Sequence, residues 1–303
     1  MNFSKGLYHT FYHPRLLIIA LLMNVIITFI SVLGTYFGFT VYPSLEIGEN
    51  QRIDINATFP FWMPFLDDIR YPYHFLQEQA YNDNWLMSLL ATVLILIVKS
   101  YALAMYLGSM KGFLQGTDNT YSILKIGSYF FKRMLLFSAI ELLFGGFFFL
   151  LEVVFLPIII IGLVVLLFYS LTPYIIILED ITVFEAISKA PSIFRKNFKT
   201  LFFLALSCMF LTFLLTMLSV VHEKIAYYTL LLGYCFIGTV FIFAVMNCLH
   251  FSIHNTMLPS KKVRKSRYLY PALSVLVFLL PLLGACLASG QFLHIFALMK
   301  KLF

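Results

Sequence analysis

The sequence predicts an all-α protein, a polytopic transmembrane helical bundle of six or seven spans with amphipathic helices at the inner membrane surface. Of the 303 residues, 61% are hydrophobic and 12% are charged, and the mean hydropathy is +0.91. A soluble domain is about half apolar and a quarter charged. Long apolar runs also alternate with short loops that hold most of the 21 Lys and Arg residues, as the positive-inside rule expects of a membrane protein.

The charge and the cysteines exclude some classes of partner and site. The formal net charge is +7, but the cations lie beside apolar runs, so we expect no nucleic-acid partner. All four cysteines also fall in or beside apolar runs, and none lies in the long polar loop; they are Cys208, Cys235, Cys248 and Cys286. The sequence therefore shows neither a disulfide framework nor zinc-ligand spacing.

The apolar runs define the spans in chain order. Residues 1–15 are basic and weakly amphipathic, and fit either a surface-lying helix or a flexible N-terminus. The first span, about residues 16–42, is too long for a signal-peptide core, and no small-residue cleavage site follows it. Five further spans are predicted at about residues 85–107, 134–154, 156–178, 200–221 and 225–249.

The last apolar run, about residues 270–299, allows two interpretations. A single span kinked at Pro281 makes seven spans and leaves the C-terminus outside. A hairpin tipped at about residues 284–290 would return Lys300 and Lys301 to the inner face, as the charge rule prefers. We favour the single span, and expect residues 1–303 to form one membrane domain with its N-terminus inside.

Residues 43–84 form the one long polar segment, in which acids outnumber the two arginines, Arg52 and Arg70. An acidic loop between spans belongs outside the membrane. Aromatic and proline residues are interleaved at positions 59–65. We expect this aromatic cluster to rest on the outer leaflet or to cap the bundle, and a ligand-binding lid is the alternative.

Residues 179–200 form an amphipathic inner loop. Thr182 and Glu185 have the T-x-x-E spacing of a capping box, in which each side chain binds a free backbone N–H at a helix start. Apolar residues recur beyond them on one helical face, with cations largely on the other. Because Pro191 interrupts the pattern, we predict two short helices along the inner surface, the second opened by Pro191. The candidate functional residues are Glu179, Asp180, Thr182, Glu185, Arg195, Lys196, Asn197 and Lys199.

The same stretch resembles a pattern found in known membrane protein families. The matching positions are Pro173, residues 175–178, Glu179-Asp180, residues 185–187 and residues 196–198. It resembles the multi-span membrane domain found ahead of some bacterial glycerophosphodiester phosphodiesterases, and related uncharacterised integral membrane families. Ala190 stands where that pattern usually has Ser, and Lys196 where Gly is common. The resemblance implies a helical membrane domain. It does not imply phosphodiesterase activity, which belongs to a separate soluble domain that we do not find here.

Lys99 and Glu141 are the clearest charges inside predicted spans. An ionisable residue there is unfavourable unless it is paired or hydrated, and points to function. Both lie at about the same depth on consecutive spans, about 10–12 Å from the inner surface at 1.5 Å per residue. We predict an ion pair between them, acting either as a structural clamp or as part of a proton or solute relay.

Other patterns are less specific. His250 and His254 share a helix face, but Phe251 stands where an H-E-x-x-H zinc motif has its glutamate. Ser122 and Lys125 match the S-x-x-K spacing, without supporting motifs. No P-loop, G-x-S-x-G or G-x-G-x-x-G is present. We therefore predict no catalytic, cofactor-binding or metal-binding residues.

These observations lead to an expectation of function. We expect a non-catalytic protein of the bacterial plasma membrane, multi-pass with a cytoplasmic N-terminus, that acts as an accessory or assembly factor of the cell envelope. Its partners would be the bilayer with its anionic inner leaflet, and another membrane protein or a second copy. The alternative is a transporter or permease subunit with a polar site around Lys99 and Glu141. An intramembrane enzyme acting on lipid or peptide is a third, weaker class.

Overall fold

The computed structural model describes residues 10–11, 13–37, 60–65, 85–115, 123–152, 165, 167–221 and 223–254. The described residues are almost entirely helical, and no strand occurs among them. The helices are α1 (Pro14–Phe37), α2 (Trp85–Gln115), α3 (Ile123–Glu152), α4 (Thr172–Glu179), α5 (Val183–Val221) and α6 (Glu223–His254). The prediction of an all-α fold is confirmed for this part of the chain.

Three helical stretches are long and apolar enough to cross a membrane: Leu89–Gln115, Val183–Thr216 and Leu230–His254. About 20 residues at 1.5 Å per residue cover the roughly 30 Å hydrocarbon core. Pro14–Ile27 and Leu167–Glu179 are shorter apolar helical stretches. The described residues thus form a membrane-embedded bundle with three candidate spans, while the apolar run predicted at residues 270–299 lies outside them.

Two antiparallel hairpins build the bundle, α2 with α3 and α5 with α6, and α1 contacts both α2 and α6. Gly108 of α2 faces Ile126 of α3 so closely that a Cβ at position 108 would lie 2.3 Å from Ile126 Cγ2. Small residues at such points let membrane helices approach without a side chain between them. The first hairpin is therefore held by backbone proximity as well as by apolar packing.

We use the term "basic end" for the end of the bundle at which α1, α3 and α5 begin and α2, α4 and α6 end. The His13 ring stacks on Phe113 with centroids 3.8 Å apart, which joins the start of α1 to the end of α2. Contacts of α3 with the end of α4, and of α5 with the end of α6, complete this end and are described below.

Helix α5 corrects the prediction of two short helices. It runs unbroken from Val183 to Val221, with Pro191 inside it. Proline interrupts one backbone hydrogen bond, but Ala186 and Ala190 are fully buried beside it, so packing maintains the helix through this turn. Its 39 residues measure about 58 Å at 1.5 Å per residue, far more than the hydrocarbon core. The cationic segment therefore continues the axis of the apolar part of α5.

Candidate functional site

The acidic pair at the basic end forms a sharp corner between α4 and α5. Asp180 follows α4 with left-handed backbone angles, φ 59° and ψ 37°, which Asp tolerates better than most residues. The Thr182 amide donates to Glu185 Oε2 at 3.3 Å, and the Glu185 amide donates to Thr182 Oγ1 at 3.5 Å. This is the reciprocal capping box that the T-x-x-E spacing predicts, and it supplies partners for free N–H groups at the start of α5.

Asp180 binds two side chains of α3. The Arg133 guanidinium forms a salt bridge with one carboxylate oxygen, and the Tyr129 hydroxyl donates to the other at 2.7 Å. Partial burial alone would raise the pKa of Asp180, but the hydrogen bonds from Arg133 and Tyr129 outweigh it and hold the pKa below its ordinary value. The bond to Asp180 in turn raises the pKa of Arg133. The pair therefore stays ionised at neutral pH.

The second half of the predicted motif joins α5 to α6. Lys196 Nζ donates to the Ser252 carbonyl at 3.1 Å, and Asn197 Nδ2 donates to the Ser252 hydroxyl at 3.0 Å. The last carbonyls of a helix lack partners within the helix. The Lys196 ammonium therefore satisfies one of them at the end of α6, where a cation also opposes the negative end of the helix dipole.

The remaining charged residues of the motif differ in exposure. Glu179 forms a salt bridge with Lys189 on α5. Arg195 is exposed, with its guanidinium 5.8 Å from the centre of the Phe168 ring. Lys199 is exposed as well. Most of the predicted motif thus joins α3, α4, α5 and α6 to one another, while Arg195 and Lys199 present charge outward.

A polar cleft lies beside these contacts, between α5 and the end of α6. It measures about 290 Å³, and the term "polar cleft" is kept for it below. Its polar lining comprises Glu179, Lys189, Ser192, Lys196 and Ser252. Among the described residues two ammonium groups thus face one carboxylate, an excess of one positive charge at the polar cleft.

A second feature of the bundle is a short non-helical segment. Residues 60–65, Pro-Phe-Trp-Met-Pro-Phe, enter the bundle between the helices and are called the plug. Met63 is 1% exposed and Phe65 is 6% exposed. The Trp62 ring meets Phe137 of α3 edge-on with centroids 5.1 Å apart. The aromatic cluster, predicted to rest on the outer leaflet or to cap the bundle, therefore packs within the bundle at residues 60–65.

The backbone of the plug finds its partners within the protein. The Tyr174 hydroxyl of α4 donates to the Phe61 carbonyl, and Asn24 Nδ2 of α1 donates to the Pro64 carbonyl at 2.9 Å. Pro60 and Pro64 have no N–H, so the plug has two fewer donors to satisfy. Irregular backbone at membrane depth requires such protein partners, because the hydrocarbon offers none.

Helix α6 leaves space for the plug. A Cβ at Gly238 would lie 2.6 Å from Pro64 Cβ and 3.0 Å from Pro60 Cγ. The Trp62 indole N–H also donates to the Ser170 carbonyl at 2.6 Å, just before α4. These contacts come from α1, α3, α4 with its preceding turn, and α6, and Lys99 of α2 adds a fifth element.

Lys99 and Glu141 lie on α2 and α3, as predicted, and both are partly buried. Lys99 Nζ is 4.5 Å from the centre of the Phe65 ring of the plug, a cation–π contact. The salt bridges among the described residues are Arg133–Asp180 and Lys189–Glu179, and they do not join Lys99 to Glu141. Their predicted pairing stays a prediction.

The remaining candidates have these positions. His250 and His254 lie on α6 with ring centroids 4.8 Å apart. Within the described ranges, no group of three or more His, Cys, Asp or Glu side chains could hold a metal ion. A second cavity, called the apolar groove, measures about 940 Å³ and is lined mainly by α5 residues 204–213 together with Phe241 of α6.

Three contacts were not predicted from the sequence. Arg133 and Tyr129 bind Asp180, and Asn24 binds the plug. Residues 129 and 133 are four apart and so share a helix face. Asn24 is a lone amide in a long apolar run, which marks a site that needs an internal partner. These signals indicate which residues need a partner within the protein, but tertiary contacts decide which residue that partner is.

No family model matches the chain, and searches of the curated proteins and of the solved structures find no match either.

Proposed function

We propose that this chain is a non-catalytic polytopic membrane protein that serves as an accessory or assembly factor of the bacterial cell envelope. The observation that supports it best is the plug, because it fills the middle of the bundle and contacts five surrounding elements. A core filled in this way suits a protein that acts through its outer surfaces. Lys99, the charge expected to mark a transport path, lies against Phe65 of the plug.

The proposal includes details finer than the described helices. They are six or seven spans, a cytoplasmic N-terminus, and the plasma membrane as location. They also include the resemblance of residues 173–198 to the membrane domain ahead of glycerophosphodiester phosphodiesterases. The partners are the anionic inner leaflet and another membrane protein or a second copy. Exposed Arg195 and Lys199 support an anionic surface, because each cation near such a leaflet contributes about 1 kcal/mol.

The test is cross-linking in intact membranes, followed by purification in mild detergent. We expect a defined membrane protein or a second copy in near-stoichiometric yield, retained by Lys99→Met because Lys99 lies inside the bundle. Arg195→Ala combined with Lys199→Ala should reduce the yield. Recovery of the wild type only as an uncross-linked monomer would contradict the accessory role.

A transporter or permease subunit is the second candidate, and one contact favours it. The Lys99 ammonium lies directly against Phe65, so a movement of the plug would uncover an ionisable group inside the bundle. In that case Lys99→Met should abolish solute uptake by reconstituted vesicles, while Lys125→Met, an exposed position on α3, should not. Such a result would replace the accessory role with transport.

A further inference from the structure

We propose that the polar cleft and the apolar groove form one binding site for a membrane glycerophospholipid, with the phosphodiester in the polar cleft and an acyl chain in the apolar groove. Both cavities are built on the α5–α6 hairpin, and no part of the accessory role uses them as a pair. The proposal rests on the membrane embedding of the hairpin and is independent of whether the protein is an accessory factor or a transporter.

The polar cleft has the chemistry of a phosphodiester site. Lys189 is paired with Glu179, which leaves the positive charge of Lys196 to match the single negative charge of a phosphodiester. Lys196 uses one N–H for the Ser252 carbonyl and carries three in all. The Ser252 hydroxyl accepts from Asn197, so its own proton can point to a ligand oxygen. Ser192 adds an exposed hydroxyl at the same cleft.

The apolar groove lies where an acyl chain would follow. Ser207, on the groove, comes eleven residues after Lys196, about three helical turns, so both lie on the same side of α5. The groove residues 204–213 lie about 12–25 Å from Lys196 along the helix at 1.5 Å per residue. Its lining by described residues is almost wholly apolar, including Leu206, Phe210 and Phe213.

The position of α5 in the bilayer makes a lipid the matching occupant. Because α5 is far longer than the hydrocarbon core, its cationic part falls at headgroup level and its later, apolar part in the acyl region. Along this face of α5, charged side chains are thus followed by apolar ones, in the same order as the headgroup and acyl chains of a phospholipid. A free phosphate would use the polar cleft alone, and a soluble partner could not enter the apolar groove.

The experiment titrates the purified full chain with phosphatidylglycerol, with glycerophosphoglycerol as the headgroup without acyl chains, and with inorganic phosphate. Native mass spectrometry measures binding. We expect lipid binding at least about a hundredfold tighter than either soluble probe, because burial of acyl carbons adds affinity. Equal affinity for phosphate and lipid would overturn the proposal, since the groove would then contribute nothing.

Variants distinguish lipid binding at the proposed site from attraction of the lipid by general surface charge. Ser192→Asp places a second carboxylate in the cleft while keeping the contacts of Lys196 and Asn197, and Lys196→Met removes the central cation. Each should weaken lipid binding about tenfold or more. Ser207→Trp should weaken it by filling the groove.

Lys125→Met is the matched control, because it removes one positive charge from an exposed position outside the cleft. It should bind lipid like the wild type, and all variants should keep the wild-type melting temperature within a few degrees. Equal losses in Ser192→Asp and Lys125→Met would mean that the lipid is attracted by net charge alone, and would reject the site. These results are independent of the cross-linking test of the accessory role.

Discussion

At the scale of single residues, Asp180 decides the geometry of the basic end. Its left-handed backbone turns the chain between α4 and α5, and its carboxylate holds Arg133 and Tyr129 of α3. One short side chain therefore serves the turn and the helix contact together. Replacement by Asn separates these roles, because Asn tolerates the left-handed conformation but carries no charge.

We predict that Asp180→Asn lowers stability by about 0.2–1 kcal/mol at neutral pH, a small effect because solvent screens a partly exposed pair. The folded pKa of Asp180 lies below its ordinary value. Its stabilising contribution is therefore complete above the unfolded pKa of about 3.9 and is lost as the pH falls through the folded pKa. Thermal unfolding from pH 7 to pH 3 checks this: the gap between wild type and variant should close only below about pH 4. A gap unchanged at pH 3 would mean that the charge is not its source.

At the scale of elements, the plug shows how an irregular segment is kept inside a helical bundle. Two prolines remove backbone donors, Asn24 and Tyr174 supply donors to its carbonyls, and Gly238 leaves room for Pro64. Each feature removes one cost of placing non-helical backbone at membrane depth. The plug is therefore sensitive to small changes in the helices that surround it.

We predict that Asn24→Leu and Gly238→Ala each destabilise the protein by about 1–3 kcal/mol. Asn24→Leu leaves the buried Pro64 carbonyl with only the weak Cys235 thiol contact at 3.9 Å, and Gly238→Ala overpacks the space beside the plug. Trp62 reports on the plug once the only other tryptophan, Trp85, is replaced by Phe. Its emission should shift to the red in both variants. Because both changes act on Pro64, their losses should be non-additive in a double-mutant cycle. Simple additivity with unchanged Trp62 emission would contradict a shared action on the plug.

Helix α5 is the second element whose behaviour can be measured. Phe184 and Phe203 are 68% and 65% exposed, so spin labels replace them without entering the core. An unbroken helix places these positions about 28 Å apart along its axis, whereas a right-angle bend at Pro191 would bring them to about 21 Å. We predict the longer distance, before and after Pro191→Ala. The shorter distance would restore the model of two separate helices.

At the scale of the whole molecule, charge distribution sets the orientation in the membrane. We predict that the basic end faces the cytoplasm and that residues 43–84, from which the plug enters the bundle, connect α1 and α2 on the outer side, because cations in short loops resist translocation. Single cysteines at positions 56 and 195 of a cysteine-free variant report this in intact cells. An impermeant thiol reagent should label position 56 and leave position 195 unlabelled until the membrane is opened. The opposite pattern would reverse the orientation.

Much of the architecture followed from the sequence by itself. Apolar runs predict helices because backbone groups in hydrocarbon must be satisfied within the segment, and α2, α5 and α6 each contain a predicted span. The capping box at Thr182 and Glu185 was also predictable, because its contacts are local and depend on a three-residue spacing. Local chemistry and composition therefore determined the fold class and the start of α5.

Only the tertiary structure decided the rest. From the sequence alone Pro191 predicts a helix boundary. Helix α5 nevertheless continues through it, because Ala186 and Ala190 are buried beside it. The sequence predicted the aromatic cluster on the outer leaflet or over the bundle, and only contacts from five separate elements place the plug inside. Lys99 likewise meets Phe65, a residue 34 positions earlier in the chain. Such choices depend on which distant surfaces meet, and no local spacing encodes that.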